Sequence, residues 1–327
     1  MACDGAPRWL PPLETAKKFL YAEGNLPLGV CELVIMYANN SSLYVIGGQD
    51  EKYNKFISVE KYIPEQDMWT RVSDMDTSRS YHGVAELDDA LYAAGGCDDN
   101  YNTLASVEKY DFVRDKWTVV APMNIERCGH GVAALDGALY VVGGRASSGN
   151  HIATVERYDP AQNEWTPVAA MGIKRIYHGV AELDDTLYVV GGKDEHYNTI
   201  VSVEKYDPVR DKWTAVAPMG ISRYGLGVVV LNGALYAVGG CSDGKILASV
   251  EKYDPTRDKW LAVASMSTKR ADPGVAALDG MLYAVGGKDG RYNLSSVEKY
   301  DPVRDEWIAV APMGTMRNGH CIVSYSA

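Results

Sequence analysis

A Gly-Gly pair closes a short apolar run six times in this chain: Gly47-Gly48, Gly95-Gly96, Gly143-Gly144, Gly191-Gly192, Gly239-Gly240 and Gly286-Gly287. A Trp follows each pair, at Trp69, Trp117, Trp165, Trp213, Trp260 and Trp307. Between pair and Trp lies Val-Glu-Lys/Arg-Tyr, beginning at Val59, Val107, Val155, Val203, Val250 and Val297. The period is 48 residues and shortens to 47 near the end. A fixed period of this size means that one supersecondary unit is copied, and that each copy completes its core by stacking on its neighbours.

Each unit reads as four short strands. "HGVAEL" alternates small and apolar residues (strand A), "LYVVGG" is a buried run (B), "SVEKY" alternates (C), and "KWTAVA" carries the Trp (D). Asp-Asp, Asp-Gly or Asn-Gly separates A from B, and Asp-Pro-x-x-Asp separates C from D, which is turn chemistry. No part of the repeat has helical spacing. Four antiparallel strands in each of six units predict an all-β fold, a six-bladed β-propeller. The Trp residues are expected to wedge between blades, and the Tyr of each Val-Glu-Lys/Arg-Tyr to lie in the core.

The pattern "GG…VEKYDP…DKW…R" resembles the kelch repeat and covers about residues 43–325. It is most similar to the propellers of BTB–BACK–Kelch proteins, the substrate adaptors of cullin-RING ubiquitin ligases. The resemblance implies a non-catalytic recognition domain that binds a protein or a short peptide degron on its loop face. It implies cullin engagement only through a BTB domain, which these residues do not include. Some kelch proteins bind or cross-link actin, which is the alternative reading.

Composition narrows the function further. A net charge of -11 argues against sequence-independent binding to nucleic acid or an anionic membrane surface. The six cysteines include no Cys-x-x-Cys pair. No apolar run reaches membrane-spanning length, and "MACDGAPRWLPP" lacks the apolar region of a signal peptide. A cytoplasmic protein of a reducing compartment is expected, so the Asn-x-Ser sequons at Asn39, Asn40 and Asn293 are read as chance. No nucleophile elbow, phosphate loop or zinc-protease motif appears, so no enzyme activity, cofactor or metal is expected. Residues 1–40 read as an N-terminal extension with a short helix over 13–23, and 41–327 as the propeller.

Ring closure is predicted from an Arg thirteen residues before the Tyr of strand B: Arg79, Arg127, Arg175, Arg223 and Arg270. The first unit lacks it, and Arg317 followed by "GHCIVSY" supplies it from the other end of the chain. Residues 319–325 are therefore expected as strand A of blade 1, beside 43–48, with 30–37 as the competing segment.

Function is sought where the copies differ. Only the segment from Gly-Gly to Val changes length, eleven residues in blades 1–4 and ten in blades 5 and 6. This B–C loop and the D–A mouth after each Arg should open on one face, rich in Tyr, Asn, Ser, Gly, Arg and His. The mouth candidates are Tyr81, Tyr177, Tyr224 and the histidines His82, His130 and His178. With His320, these histidines share one register in blades 1–4, which marks either a binding sector or recent blade duplication. Arg127, Arg175 and Arg223 are retained because the resemblance implies that Arg at this position can face a ligand; a structural hydrogen bond competes. In the B–C loops, Arg145, His151, Lys193 and His196 break the pattern, and Tyr197 belongs to a Tyr-Asn pair that also occurs at Tyr53, Tyr101 and Tyr292. Cys97, Cys128 and Cys241 sit at these loops and are read as inert, with redox sensing as the alternative.

Overall fold

The computed structural model describes residues 41–326. The 13–23 helix and the 30–37 segment lie outside them. Six four-stranded antiparallel sheets form, one per repeat, with a two-stranded hairpin on blade 5 (Cys241–Ser242 with Lys245–Ile246). Blade 2 shows the plan: A is Gly83–Glu86, B is Ala90–Ala94, C is Val107–Asp111 and D is Lys116–Val120, hydrogen-bonded in that order. Strand B is buried at every residue because it has sheet neighbours on both sides and a blade against each face. Strand D is mostly exposed except at its Trp. Among the described residues no helix is long and apolar enough to cross a membrane.

The ring closes as the copy number requires. Cys321–Tyr325 pairs antiparallel with Ser42–Ile46, in the register Leu43 to Ser324 and Val45 to Ile322. Ile322 packs into the core between blades 6 and 1, while Val323 and Tyr325 pack into the core between blades 1 and 2. Tyr325 also stacks on Phe112 of blade 2, with ring centroids 3.6 Å apart. One terminal strand thus joins three blades.

Between blades, each Trp does what its size predicts. Trp165 of blade 3 sits in a cluster with Ala85, Leu87 and Tyr92 of blade 2. Its indole Nε1 donates to the Ala121 carbonyl at 2.9 Å, and the same bond recurs from Trp117 to Ser73 and from Trp69 to Ala311. The residue two before each Trp completes the joint. Asp115 adopts a left-handed backbone (φ 48) and its Oδ1 accepts from Tyr110 Oη at 2.6 Å and from the Ser73 amide at 3.0 Å. Asn163 does the same for Tyr158 and the Ala121 amide. Asp and Asn tolerate this conformation and offer the acceptor, which accounts for their place in "DKW" and "NEW". Trp165→Ala should therefore destabilise the protein by about 3–5 kcal/mol in a denaturant titration; a loss below about 1 kcal/mol would contradict the wedge.

The Gly-Gly pairs are required by both conformation and space. Gly95 and Gly96 have φ of 62 and 95, and a Cβ on Gly96 would lie 2.7 Å from the Ser80 carbonyl oxygen.

Candidate recognition face

The six arginines are structural. Arg79, Arg127, Arg175, Arg223, Arg270 and Arg317 are all 0% exposed. Arg127 Nη1 donates to the Gly143 and Thr154 carbonyls at 3.0 and 2.7 Å, and Nη2 donates to Glu156 Oε1 at 2.8 Å. Glu156 Oε2 in turn accepts from the Asn124 amide at 2.7 Å. One Arg–Glu pair therefore ties the D–A loop to the Gly-Gly corner and the start of strand C, and Arg175–Glu204 and Arg223–Glu251 repeat it. Arg127, Arg175 and Arg223 leave the list of ligand-facing candidates, because their guanidinium groups are enclosed and paired inside the wall.

The mouth histidines are also internal. His130 Nε2 donates to the Ala94 carbonyl of blade 2 at 3.1 Å, His178 Nε2 to Val142 at 3.0 Å and His320 Nε2 to Val285 at 3.1 Å. A carbonyl accepts only, so each ring carries its proton on Nε2. Burial, reinforced by Arg127, Arg175 and Arg317 respectively, holds these three imidazoles down at about 3. Burial and Arg79 push His82 well below its ordinary value as well. His130, His178 and His320 join adjacent blades through these bonds, and all four rings line a central channel of ≈ 170 Å³. His82, His130 and His178 are therefore part of the channel wall, and the blade 1–4 pattern marks a packing solution. Blade 5 fills the same slot with the buried Leu226.

Above this layer, the residues one position earlier in the six blades are linked by five backbone hydrogen bonds into an open ring. The Tyr81 amide donates to Gly319 O at 2.7 Å, Gly129 to Tyr81, Tyr177 to Gly129, Gly225 to Tyr177 and Asp272 to Gly225, each of the last four at 2.8 Å. All six members have positive φ, between 50 and 62. Tyrosine is costly in this region, by about 1 kcal/mol or more, yet Tyr81 and Tyr177 alternate here with glycines. The alternation is steric. A Cβ on Gly129 would meet Ile176 Cγ1 at 2.6 Å, and one on Gly319 would come within 3.1 Å of the Tyr81 ring. Each large side chain folds over the neighbouring glycine. The Tyr81 and Tyr177 rings meet edge-on at 5.3 Å, and Tyr224 lies 6.5 Å beyond Tyr177.

The B–C loops surround this arc on the same face. Bridges from Cys128 to Arg145, Ile176 to Lys193 and Tyr224 to Cys241 join each D–A mouth to the B–C loop of its own blade. In blade 4 the loop is held by Asp194, whose Oδ1 accepts from the amides of His196 and Asn198 at 2.9 Å each. That turn presents Tyr197 at φ 65 and 61% exposure, and His196 is exposed beside it. Tyr53 and Tyr101 stand out in the same manner from blades 1 and 2, and Tyr292 is exposed on blade 6. His151 differs. It is buried, with Nδ1 2.7 Å from the Asp194 carbonyl and its ring edge-on to Tyr197 at 4.6 Å, so it buttresses the blade 4 loop. Lys193 Nζ sits over the Tyr224 ring at 4.0 Å, and Arg145 Nη2 lies 3.6 Å from Cys128 Sγ. Lys288, in the equivalent register, is neutralised by Asp272 at 2.9 Å.

This geometry defines a class: a closed six-bladed propeller whose one loop face carries rigid aromatic side chains around a narrow channel. Among the described residues there is no cluster of three or more His, Cys, Asp or Glu side chains that could hold a metal ion. The KLHDC2/KLHL20/DRC7 Kelch-repeats domain family matches residues 15–192 and 129–327, and the chain belongs to it. A solved structure titled "Structure of YjhT" superposes with a TM-score of 0.69 at 15% identity, covering 81% of this chain and 96% of that one, a likeness of fold. No curated protein sequence matches the chain. Kelch propellers are typically protein-interaction domains and generally non-catalytic.

Proposed function

We propose that the chain is a recognition domain that docks a protein segment on the face bearing Tyr81, Tyr177, Tyr224 and Tyr197. The observation that carries this reading is the aromatic arc across the channel mouth, in which Tyr81 and Tyr177 stand in a left-handed backbone tied by the surrounding hydrogen bonds. Rigid aromatic groups lose little entropy on binding, and strained residues of this kind gather at binding sites. Arg145 and Lys193 have no carboxylate partner in the described residues and flank the arc, so the favoured segment carries acidic side chains. Delivery of that segment to a cullin-RING ligase, through a BTB domain outside these residues, follows from the family likeness.

The test is capture from lysate with wild-type protein beside Tyr81→Gly/Tyr177→Gly. Glycine is the right replacement because Gly129, Gly225 and Gly319 already fill the equivalent positions. Partner recovery should fall about tenfold or more while the melting midpoint stays within about 2 °C. Equal recovery would move the site off this face. If filamentous actin is the main protein recovered and survives the double substitution, the cytoskeletal reading replaces this one.

A further inference from the structure

Five of the six B–C loops carry at least one carboxylate; the loop of blade 3, "RASSGNHIAT", carries none. It also lacks the tyrosine of its neighbours, although the turn itself is unchanged. The Gly149 amide donates to the Ala146 carbonyl at 2.9 Å, as Tyr101 does to Asp98 and Tyr197 to Asp194 at 3.0 Å each. Gly149 (φ 85) therefore stands where Tyr101 (φ 61) and Tyr197 (φ 65) stand in the flanking blades. Ala146 takes the place of Asp98 and Asp194, whose carboxylates clamp Asn102 and Asn198. What differs is what the tip presents. A Cβ on Gly149 would meet nothing within 4 Å, whereas Tyr101 and Tyr197 project at 63% and 61% exposure. Beside this gap an open groove of ≈ 630 Å³ runs between blades 3 and 4, with Gly149, Asn150, His151, Lys174, Glu195 and Tyr197 in its walls.

We propose that an extended, acidic segment of a partner protein reaches the channel mouth across blade 3, passing over Gly149, along this groove and past Arg145. The inference rests on the recognition reading and gives it a direction. An extended chain needs a path with no side chain standing across it, and the tyrosines of blades 1, 2, 4 and 6 fence the other approaches. Arg145 pairs with His151 through a backbone bridge, which sets its side chain at the inner end of the groove. Its guanidinium contacts Cys128 Sγ at 3.6 Å and no carboxylate among the described residues. Lys174 and Glu195 neutralise each other at 2.6 Å, and Glu126, the carboxylate that precedes Arg127, does not line the groove. The path thus ends on an uncompensated cation, and an acidic segment is attracted here where every other B–C loop offers a carboxylate. Blade 5 also lacks the tyrosine, but its tip is Asp243-Gly244, which repels the same segment.

The probe is a phage-displayed library of random linear peptides, selected on the folded full chain; enriched sequences are then synthesised with a fluorophore and titrated by anisotropy. They should carry Asp or Glu. Gly149→Tyr, which restores the residue of the flanking blades, should weaken them about tenfold while the melting midpoint stays within about 2 °C. Asn150→Glu, on the exposed lip of the groove, should weaken them about threefold at low salt, and the difference from wild type should close as salt is raised. Peptides that are lost with Tyr81→Gly/Tyr177→Gly but bind both groove variants like wild type would overturn the route over blade 3 and leave the mouth reading standing. Enrichment of basic or uncharged peptides would overturn the acidic occupant. No enrichment, or peptides indifferent to Tyr81→Gly/Tyr177→Gly, would overturn the mouth reading and this inference with it.

Discussion

Deletion of residues 318–327 is expected to remove most of the protein's stability. The lost segment contains Cys321–Tyr325, which pairs along its whole length with the buried strand Ser42–Ile46. Without it, blade 1 exposes an unpaired inner edge, and Ile322, Val323 and Tyr325 leave the cores on the two sides of that blade. Several ladder hydrogen bonds at about 1 kcal/mol each and three packed side chains at about 1–2 kcal/mol each come to on the order of 5–10 kcal/mol. That is comparable with the whole stability of a typical domain. His320, which bonds to Val285 of blade 6, goes with them. A thermal melt should show a midpoint lowered by about 10 °C or more, or no cooperative transition. A midpoint within about 2 °C of the full chain would contradict closure by this strand.

The second large effect is acid sensitivity above the range where carboxylates titrate. His130, His178 and His320 are held at about 3 in the folded protein, and His82 lies well below its ordinary value, against about 6.5 in an unfolded chain. Between these limits the unfolded chain binds more protons, so stability falls as pH falls. The contribution is complete above about pH 6.5 and disappears toward about pH 3. At pH 5 each of His130, His178 and His320 costs about 2 kcal/mol, and the three together on the order of 6 kcal/mol, with His82 acting in the same direction. Asp67, Asp115, Asp258 and Asp305 are held below the usual carboxylate value by their Tyr and backbone donors, so they respond only at lower pH. A urea midpoint measured at pH 7.5 and at pH 5.0 spans the upper part of this range. The midpoint should drop sharply, and His130→Gln, whose amide can still donate toward Ala94, should recover about 2 kcal/mol of the loss. Equal midpoints at the two pH values would contradict the buried neutral histidines.

Much of this architecture was legible because repetition reports packing. A residue that returns six times answers a constraint common to every blade, as Trp165, Tyr158 and the Gly143-Gly144 pair do. The displaced Arg317 located the closing strand for the same reason. Repetition was also the warning about Arg127, Arg175 and Arg223. A residue present in every copy serves the scaffold, and the Glu of Val-Glu-Lys/Arg-Tyr, equally periodic, was the partner to look for. His130, His178 and His320 were harder to read, since their acceptors are carbonyls of the preceding blade, which leave no mark in sequence. His151 broke the pattern and so looked available, but the carbonyl and the Tyr197 ring that enclose it belong to another blade's loop. The alternation of Tyr81, Gly129, Tyr177 and Gly225 was visible in "RSYH", "RCGH", "RIYH" and "RYGL". Its meaning required the backbone ring that forces all of these residues to positive φ.

The central claim is that recognition belongs to the mouth face and not to the opposite rim. Photo-crosslinking tests it most directly, with a benzophenone amino acid placed in turn at Tyr197 and at Val209. Tyr197 stands on a B–C loop of blade 4, and Val209 stands on the C–D turn at the other end of the same blade, 93% exposed. Both sites tolerate a large side chain, so labelling reports position. The account predicts that the captured partner crosslinks from 197 and not from 209. Crosslinking from 209 alone would place the partner on the opposite rim and contradict it.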